Sequence, residues 1–216
     1  MGEERNFEEL IETMRSKGNL TSDRVEQAIR KALRHLFVPE EVKDRAYVDA
    51  PLSIGHGQTI SQPSVVVKMT EYLEVEEGDK ILEIGAGSGW QSAVLSHLVG
   101  EGGKVYTVEV VESLAEKARE SLNKTGVGNV EVVVGDGSTG LEDHAPYDGI
   151  ICTAVSSRIQ EEWVEQLKVG GRIVSPVSGV VLHNLVVVEK VSEDEQEVVE
   201  KERGYRFVKL KGEKGF

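Results

Sequence analysis

Three groups of residues have types and spacings that could do chemistry. In residues 80–90, Glu83 precedes a turn in which Gly85, Gly87 and Gly89 alternate with other residues. Gly85 and Gly87 allow backbone angles barred to other residues and leave room for a ligand to approach the main chain. Two further acids, Glu109 and Asp136, follow later, and Gly137 comes directly after Asp136. The third group is Gln58, Thr59, Ile60 and Ser61, just ahead of Pro63. A dinucleotide fingerprint would need a further glycine where Trp90 stands, and Glu83 would repel a pyrophosphate. Glu83 suits a ligand with an ammonium group instead. Glu109 can take both hydroxyls of a ribose, and Asp136 can accept from an adenine amino group. Alone, each acid reads as a solvated loop residue or a helix cap. Together, in this order, they point to an adenosine-containing ligand.

The surrounding elements must place these residues at one edge of a sheet. Residues 80–84 read as a buried strand and residues 90–98 as a helix with Trp90, Ala93, Val94 and Leu98 on one face. Strand and helix then alternate: strand 104–109, helix 112–124, strand 130–134, strand 147–152, a short helix 161–167 and strand 172–177. That order predicts an α/β fold with a mostly parallel, doubly wound sheet covered on both faces. In such a sheet, ligands bind beyond the carboxyl ends of the strands. Two strands, 185–191 and 197–210, are expected to close the sheet as an antiparallel pair.

Ahead of the sheet, residues 6–17 put Phe7, Leu10, Ile11 and Met14 on one helical face, with Gly18 beyond it. A second helix is expected to start near Thr21, Ser22 and Asp23, run through Leu36 and end at Pro39. Residues 45–62 read as a long irregular loop, a feature that usually has a function. Pro63 fits the first position of a helix reaching Leu73, with Gln62 as its cap. Thr59 and Ser61 then sit before a helix N-terminus, where free N–H groups favour an anion; a plain capping motif is the alternative. One domain over 1–216 is expected, divided into N-terminal helices and loop (1–78), an α/β core (79–183) and C-terminal strands (184–216).

The net charge of −13 argues against binding along a nucleic-acid backbone. No apolar run is long enough to span a bilayer, and no signal peptide is visible. Cys152 is the sole cysteine, which fits a reducing compartment and a small core residue. A cytoplasmic protein acting as a monomer is expected. No His, Cys and Asp spacing suggests a metal site. His56 reads as a loop residue rather than a general base.

The acid and glycine turn is similar to the nucleoside-binding loop of Rossmann-like methyltransferases, which meets S-adenosylmethionine. Residues 53–63 (SIGHGQTISQP) resemble the signature of the protein-L-isoaspartate O-methyltransferases, a resemblance continued by 82–89, 135–137, 145–148 and 166–172. It covers the chain from about residue 20 to the end. The resemblance implies methyl transfer from S-adenosylmethionine to the free α-carboxylate of an L-isoaspartyl residue in damaged proteins and peptides. It assigns Ser61 as the active-site serine and places Thr59, Ser61 and Val208 with the substrate. It places Gln58, Thr59, Ile60, Ser61, Glu83, Gly85, Gly87, Gly89, Glu109, Asp136 and Gly137 with the cofactor. Two departures stand out: Lys209 replaces a proline usual in the terminal F-V-P-L segment, and Trp90 replaces a tyrosine. The first bears on which sequences around the isoaspartyl residue are preferred.

The chemistry fits. A carboxylate is already ionised at neutral pH, and a sulfonium leaves as a neutral thioether, so neither base nor acid is required. Alignment and exclusion of water remain. Neutral donors such as the Thr59 and Ser61 hydroxyls suit a carboxylate whose charge falls during transfer. Rival readings are a small-molecule or RNA methyltransferase, a nicotinamide-dependent dehydrogenase and a non-catalytic nucleotide-binding scaffold.

Overall fold

The computed structural model describes residues 2–216. Helix α1 (Gly2–Ser16) starts earlier than the sequence pattern suggests and buries Leu10, Ile11 and Met14. Gly18 has φ 71° and the Asn19 N–H donates to Met14 O at 2.9 Å, closing the helix end as expected. Helix α2 (Asp23–Lys31) begins with the Ser22 hydroxyl accepting from the Val25 N–H. It does not continue to Leu36. The chain leaves the helix at Ala32 and makes a tight 3-10 turn over Arg34–Leu36. Arg34 is thereby buried to 1 % exposure while Leu36 stands 45 % exposed, the reverse of the apolar pattern.

Residues 45–62 are also more ordered than a loop. After a 3-10 stretch, Glu40–Arg45, strands β1 (Leu52–Gly55) and β2 (Gln58–Ile60) pair antiparallel, with Leu52 opposite Ile60 and Ser53 opposite Thr59. Gly55, His56 and Gly57 turn the hairpin with φ values of 93°, 52° and 70°. Alternation buries Leu52, Ile54 and Ile60 and leaves Ser53 and Thr59 exposed. Helix α3 (Pro63–Leu73) follows with Pro63 at its first position and Gln62 as its cap, as expected.

Strand β3 (Lys80–Ile84), helix α4 (Trp90–Val99), strand β4 (Lys104–Glu109), helix α5 (Glu112–Lys124) and strand β5 (Val130–Val134) form the first parallel half. Strand β6 (Tyr147–Cys152), helix α6 (Glu161–Glu165), strand β7 (Leu167–Val177), strand β8 (His183–Lys190) and strand β9 (Gln196–Tyr205) complete the order β5-β4-β3-β6-β7-β8-β9. Strands β3 to β7 pair in parallel, and β7, β8 and β9 are antiparallel. The chain adds strands outward from β3 to β5, then returns to β6 on the other side of β3. That reversal opens a crevice at the carboxyl ends of β3 and β6.

Alternate residues divide between two cores. Ile81, Val105, Ile151, Val174 and Val187 join one packed against the helices. Leu82, Ile84, Ile150, Ile173 and Val188 join the other, with Trp163 and Leu210. Helix α4 is buried nearly all round, held between the sheet and α2. Several boundaries differ from the sequence reading: β7 starts at Leu167 rather than at 172, and β8 spans His183–Lys190 rather than 185–191. Helix α6 ends at Glu165 because Leu167 already pairs with Tyr147, before a shift in register. Strand β9 ends at Tyr205, and residues 206–210 instead cross toward β6, where the Val155 N–H donates to Val208 O and Leu210 N–H to Val155 O. Among the described residues, no helix is long and apolar enough to cross a membrane.

Candidate active site

A pocket opens at the carboxyl ends of β3, β4 and β6, where the strand order reverses. It is lined by Gln58, Thr59, Ile60 and Ser61 from the hairpin side, Glu83, Gly85 and Gly87 from the β3 turn, Glu109 from β4, and by Gly137, Thr153 and Val208. A groove adjoins it and shares Thr59, Ser61, Thr153 and Val208, extending past Pro51, Gln62, Val65 and Tyr205 to Phe207. The hydroxyl-bearing hairpin therefore stands at the junction of pocket and groove.

The β3 turn cannot be built from other residues. Gly85 has φ 96°, and a Cβ there would lie 2.5 Å from the Thr153 hydroxyl oxygen. That hydroxyl donates to Gly85 O at 2.7 Å, so the turn is fixed by the end of β6. A Cβ at Gly137 would come 2.9 Å from the Ile84 side chain. Gly89 has a different place: it caps α4 at φ 84° and packs against Ala118 of α5, outside the pocket lining.

The acids divide likewise. Glu109 accepts the Gly87 N–H at 2.9 Å and the Val111 N–H at 3.0 Å, which fixes its carboxylate beside the glycine turn. Glu83 lines the pocket yet is wholly buried. Burial pushes its carboxyl up to about 8, the hydroxyls of Ser92 and of Thr107 on the neighbouring strand work against that rise and the Glu109 charge adds to it. Ser92 donates to Glu83 Oε2, while Oε1 makes no hydrogen bond among the described residues. A buried carboxyl oxygen without a partner costs roughly 1–3 kcal/mol, and a cationic group in the pocket would favour the ionised form and pair with it. The residues present thus fit a ligand with an ammonium or sulfonium centre.

Asp136 is not brought to the pocket lining. Its carboxylate accepts from the Ser138 N–H at 2.8 Å and from the Glu213 N–H at 2.6 Å. Burial alone would raise this carboxyl, and the Ser138 hydroxyl together with those bonds more than offsets it, leaving it below its ordinary value. The neighbouring Gly137 lines the pocket in its place.

The Thr59 and Ser61 hydroxyls accept and donate no hydrogen bond among the described residues; Thr59 is exposed and Ser61 half-buried. The N-terminus of α3 does not add free amides to them, contrary to the sequence expectation. Pro63 has no N–H, Ser64 donates to Asp49 Oδ1 at 2.9 Å, and Val65 and Val66 both donate to Gln62 O. The anion-binding capacity of this helix end is already used by a carboxylate of the chain itself. On the groove's far side, Glu202 accepts from the hydroxyls of Tyr72 and Tyr205, both at 2.5 Å, and pairs with Lys68 at 2.7 Å. Burial, then Glu202 as acceptor, holds both phenols above their ordinary range. This cluster ties the end of β9 to α3 and so places Phe207 and Val208. His56 sits at the hairpin tip, 3.0 Å from the Ser113 hydroxyl, away from the groove. Cys152 is buried, with its thiol pushed up to about 12 by burial, and is inert packing.

The sequence reading missed Thr153, which lines both cavities. It follows β6 directly, so the rule that ligands gather beyond strand carboxyl ends could have found it. The reading also missed Asp49 and Arg34, for which no local pattern gives a signal.

The family model for protein-L-isoaspartate(D-aspartate) O-methyltransferase matches residues 5–215. The chain is 51 % identical to protein-L-isoaspartate O-methyltransferase 2 of Archaeoglobus fulgidus, covering 97 % of this chain and 94 % of that one. It is 48 % identical to the protein-L-isoaspartate O-methyltransferase of Methanopyrus kandleri, over 97 % and 92 %. A solved protein-L-isoaspartate O-methyltransferase superposes with a TM-score of 0.86 at 30 % identity, over 96 % of this chain and 67 % of that one. With the glycine turn, the paired acids and the hydroxyl-bearing hairpin assembled at one crevice, and with a family match over nearly its whole length, the chain belongs to the protein-L-isoaspartate(D-aspartate) O-methyltransferase family.

Proposed function

We propose that the pocket and the groove divide the reaction between them, the pocket holding the methyl donor and the groove the damaged peptide. The reaction is the family's: transfer of a methyl group from S-adenosylmethionine to the free α-carboxylate of an L-isoaspartyl residue in damaged proteins and peptides. S-adenosylmethionine supplies an electrophilic methyl on a sulfonium. Glu83 Oε1 offers the buried acceptor for a cationic group, Glu109 presents its remaining lone pairs to a ribose, and Gly85, Gly87 and Gly137 let the ligand approach the main chain. Gln58 and Ile60 border the same pocket. Gly89 serves this binding indirectly, by seating α4 against α5.

Ser61, with Thr59, donates to the substrate carboxylate where pocket and groove meet, and Val208 walls the opposite side. The observation that carries this reading is that Thr59 and Ser61 line both cavities with hydroxyls that have no hydrogen-bond partner among the described residues. With the α3 amides already used, those two neutral donors hold the carboxylate without overstabilising its charge. Their work is alignment and exclusion of water, with no proton to move. The segment 206–210 closes the groove, with the exposed Arg206 along the groove and the exposed Lys209 at the pocket. The whole chain acts as one unit, and a monomer working on proteins rather than nucleic acid, in the cytoplasm, is the reading that its acidic charge and lone buried cysteine support.

The test uses a synthetic peptide containing L-isoaspartate beside its L-aspartyl twin, with radiolabelled S-adenosylmethionine. Base-labile label on the isoaspartyl peptide alone is expected. Label on neither, with S-adenosylhomocysteine still bound, would remove this substrate from the groove.

A further inference from the structure

Arg34 is the most deeply buried cation of the described chain, at 1 % exposure, and no carboxylate pairs with it. Its Nη1 donates to Ala46 O, and its Nη2 donates to Ala50 O at 3.1 Å and to Ser61 O at 3.0 Å. Its guanidinium lies over the Trp90 ring, 5.2 Å from the centroid. Ala46 and Ala50 lead into the hairpin and Ser61 leaves it. One side chain therefore closes the base of the segment that carries Thr59 and Ser61.

A buried charge held by carbonyl dipoles and an aromatic face, with its Nε–H unpartnered among the described residues, is costly. Burial brings the guanidinium down to about 10, against the opposing influence of Asp49. A leucine would fill the site at lower cost if packing were all it did. The turn at Ala32 that ends α2 early is what delivers this group, so the chain gives up a turn of helix for it. Only a planar, forked donor set reaches three carbonyls that lie on two strands of chain.

We propose that Arg34 is a positioning residue for methyl transfer: by binding the carbonyl of Ser61 together with those of Ala46 and Ala50, it sets where the Ser61 hydroxyl meets the isoaspartyl carboxylate. This rests on the reading that Ser61 faces the peptide. The two acceptor sites before the hairpin and the one after it fix the hairpin's exit relative to its entry. Asp49 reinforces the closure from the other side, accepting from Ser64 N–H and the Gln62 side chain. Trp90, which lines the cofactor pocket, keeps an anchor of its own, its ring N–H donating to Ala32 O at 2.7 Å.

The experiment compares Arg34→Lys and Arg34→Met with the unmodified chain, well below each protein's Tm, by peptide kinetics, S-adenosylhomocysteine titration and amide exchange. Displacement of a substrate-holding group by an ångström can cost about 100-fold in rate. Arg34→Met is expected to lower kcat/KM for the isoaspartyl peptide by about 30-fold, within that range. Arg34→Lys, which keeps one or two of the bonds, should recover part of the loss. Cofactor-product affinity should stay within about twofold, and amide exchange should accelerate in residues 51–62 but not in β3 or β4. If Arg34→Met does not fold, Arg34→Lys carries the same readouts. Unchanged peptide kinetics in folded variants would overturn the proposal, as would equal losses in cofactor affinity. Ser61→Ala separates the two levels: an unaffected Ser61→Ala would sink the reading of Ser61 itself, and an impaired one beside normal Arg34 variants would sink only the role of Arg34.

Discussion

At the cofactor end of the site, the acids are set by the turns and helix that follow the strands: Glu109 takes N–H groups from the glycine turn and from the residue two positions on, and Glu83 takes the Ser92 hydroxyl of α4. At the peptide end, Ser61 is held through its carbonyl by a guanidinium 27 residues earlier, and the helix that follows is capped from Asp49, 15 residues before Ser64. The first arrangement follows from strand ends and the local backbone and is rigid by construction. The second is a loop closed by long-range side-chain contacts. A cofactor needs an invariant seat, whereas a groove for many damaged proteins must receive backbones of varied sequence. On the proposed division, the fixed chemistry sits at the ends of the sheet strands and the adaptable recognition on a tied hairpin.

That contrast can be broken most severely at Gly85. Gly85→Val adds a Cβ where the Thr153 hydroxyl stands, at a φ that L side chains resist. S-adenosylhomocysteine affinity, measured by titration calorimetry, is expected to fall at least about 100-fold through this clash and strain. If binding survives, the turn is not the seat.

Next is the pH dependence at Glu83. Its carboxyl, raised to about 8, is protonated below that pH in the free protein, and a cationic ligand favours the ionised form. Binding therefore releases a proton, and affinity should rise by up to about tenfold per pH unit from pH 6 towards 8, then level off. Glu83→Gln should flatten the profile, and a profile of unchanged slope would show that Glu83 does not face the ligand's charge. The same raised carboxyl contributes stability that is full below its ordinary value of 4.5 and lost as pH rises through about 8. A smaller effect is expected at the other region. Asp49→Ala removes the cap of α3 and should cost about 1 kcal/mol, lowering Tm by roughly 2–4 °C at this chain length. It should also raise the peptide KM more than the cofactor Kd. Smallest of all, His56→Ala should change kcat by less than about twofold, since the carboxylate nucleophile needs no base; a large fall with a shifted pH profile would contradict that.

The same contrast explains what was legible in the sequence. Ile81, Leu82 and Ile84 announce a buried strand and the glycine turn announces its end, because both are local. Leu114, Ala115, Ala118 and Leu122 mark the buried face of α5 by spacing alone. The hairpin was hidden because its alternation is only a few residues long and is interrupted by Gly55, His56 and Gly57, which read as loop. Arg34 was hidden because it lies within an apolar helical pattern that continues past the real helix end, and the carbonyls that justify its burial are distant in sequence. Asp136 has the type and position expected of an adenine partner, yet it stands outside the pocket lining, where its carboxylate accepts backbone N–H groups of Ser138 and of Glu213 near the C-terminus. The resemblance to a family located the functional hairpin, and the structure supplied the physical reason it holds its shape.

The division of labour between pocket and groove is tested most directly at Ser61, by measuring kcat/KM for an isoaspartyl peptide and the Kd for S-adenosylhomocysteine on the same Ser61→Ala preparation. The account predicts a fall of about 10- to 100-fold in the first, the scale of one lost positioning contact, with the second within about twofold. Equal losses in both would make the Ser61 hydroxyl a cofactor contact as much as a peptide contact and contradict the division.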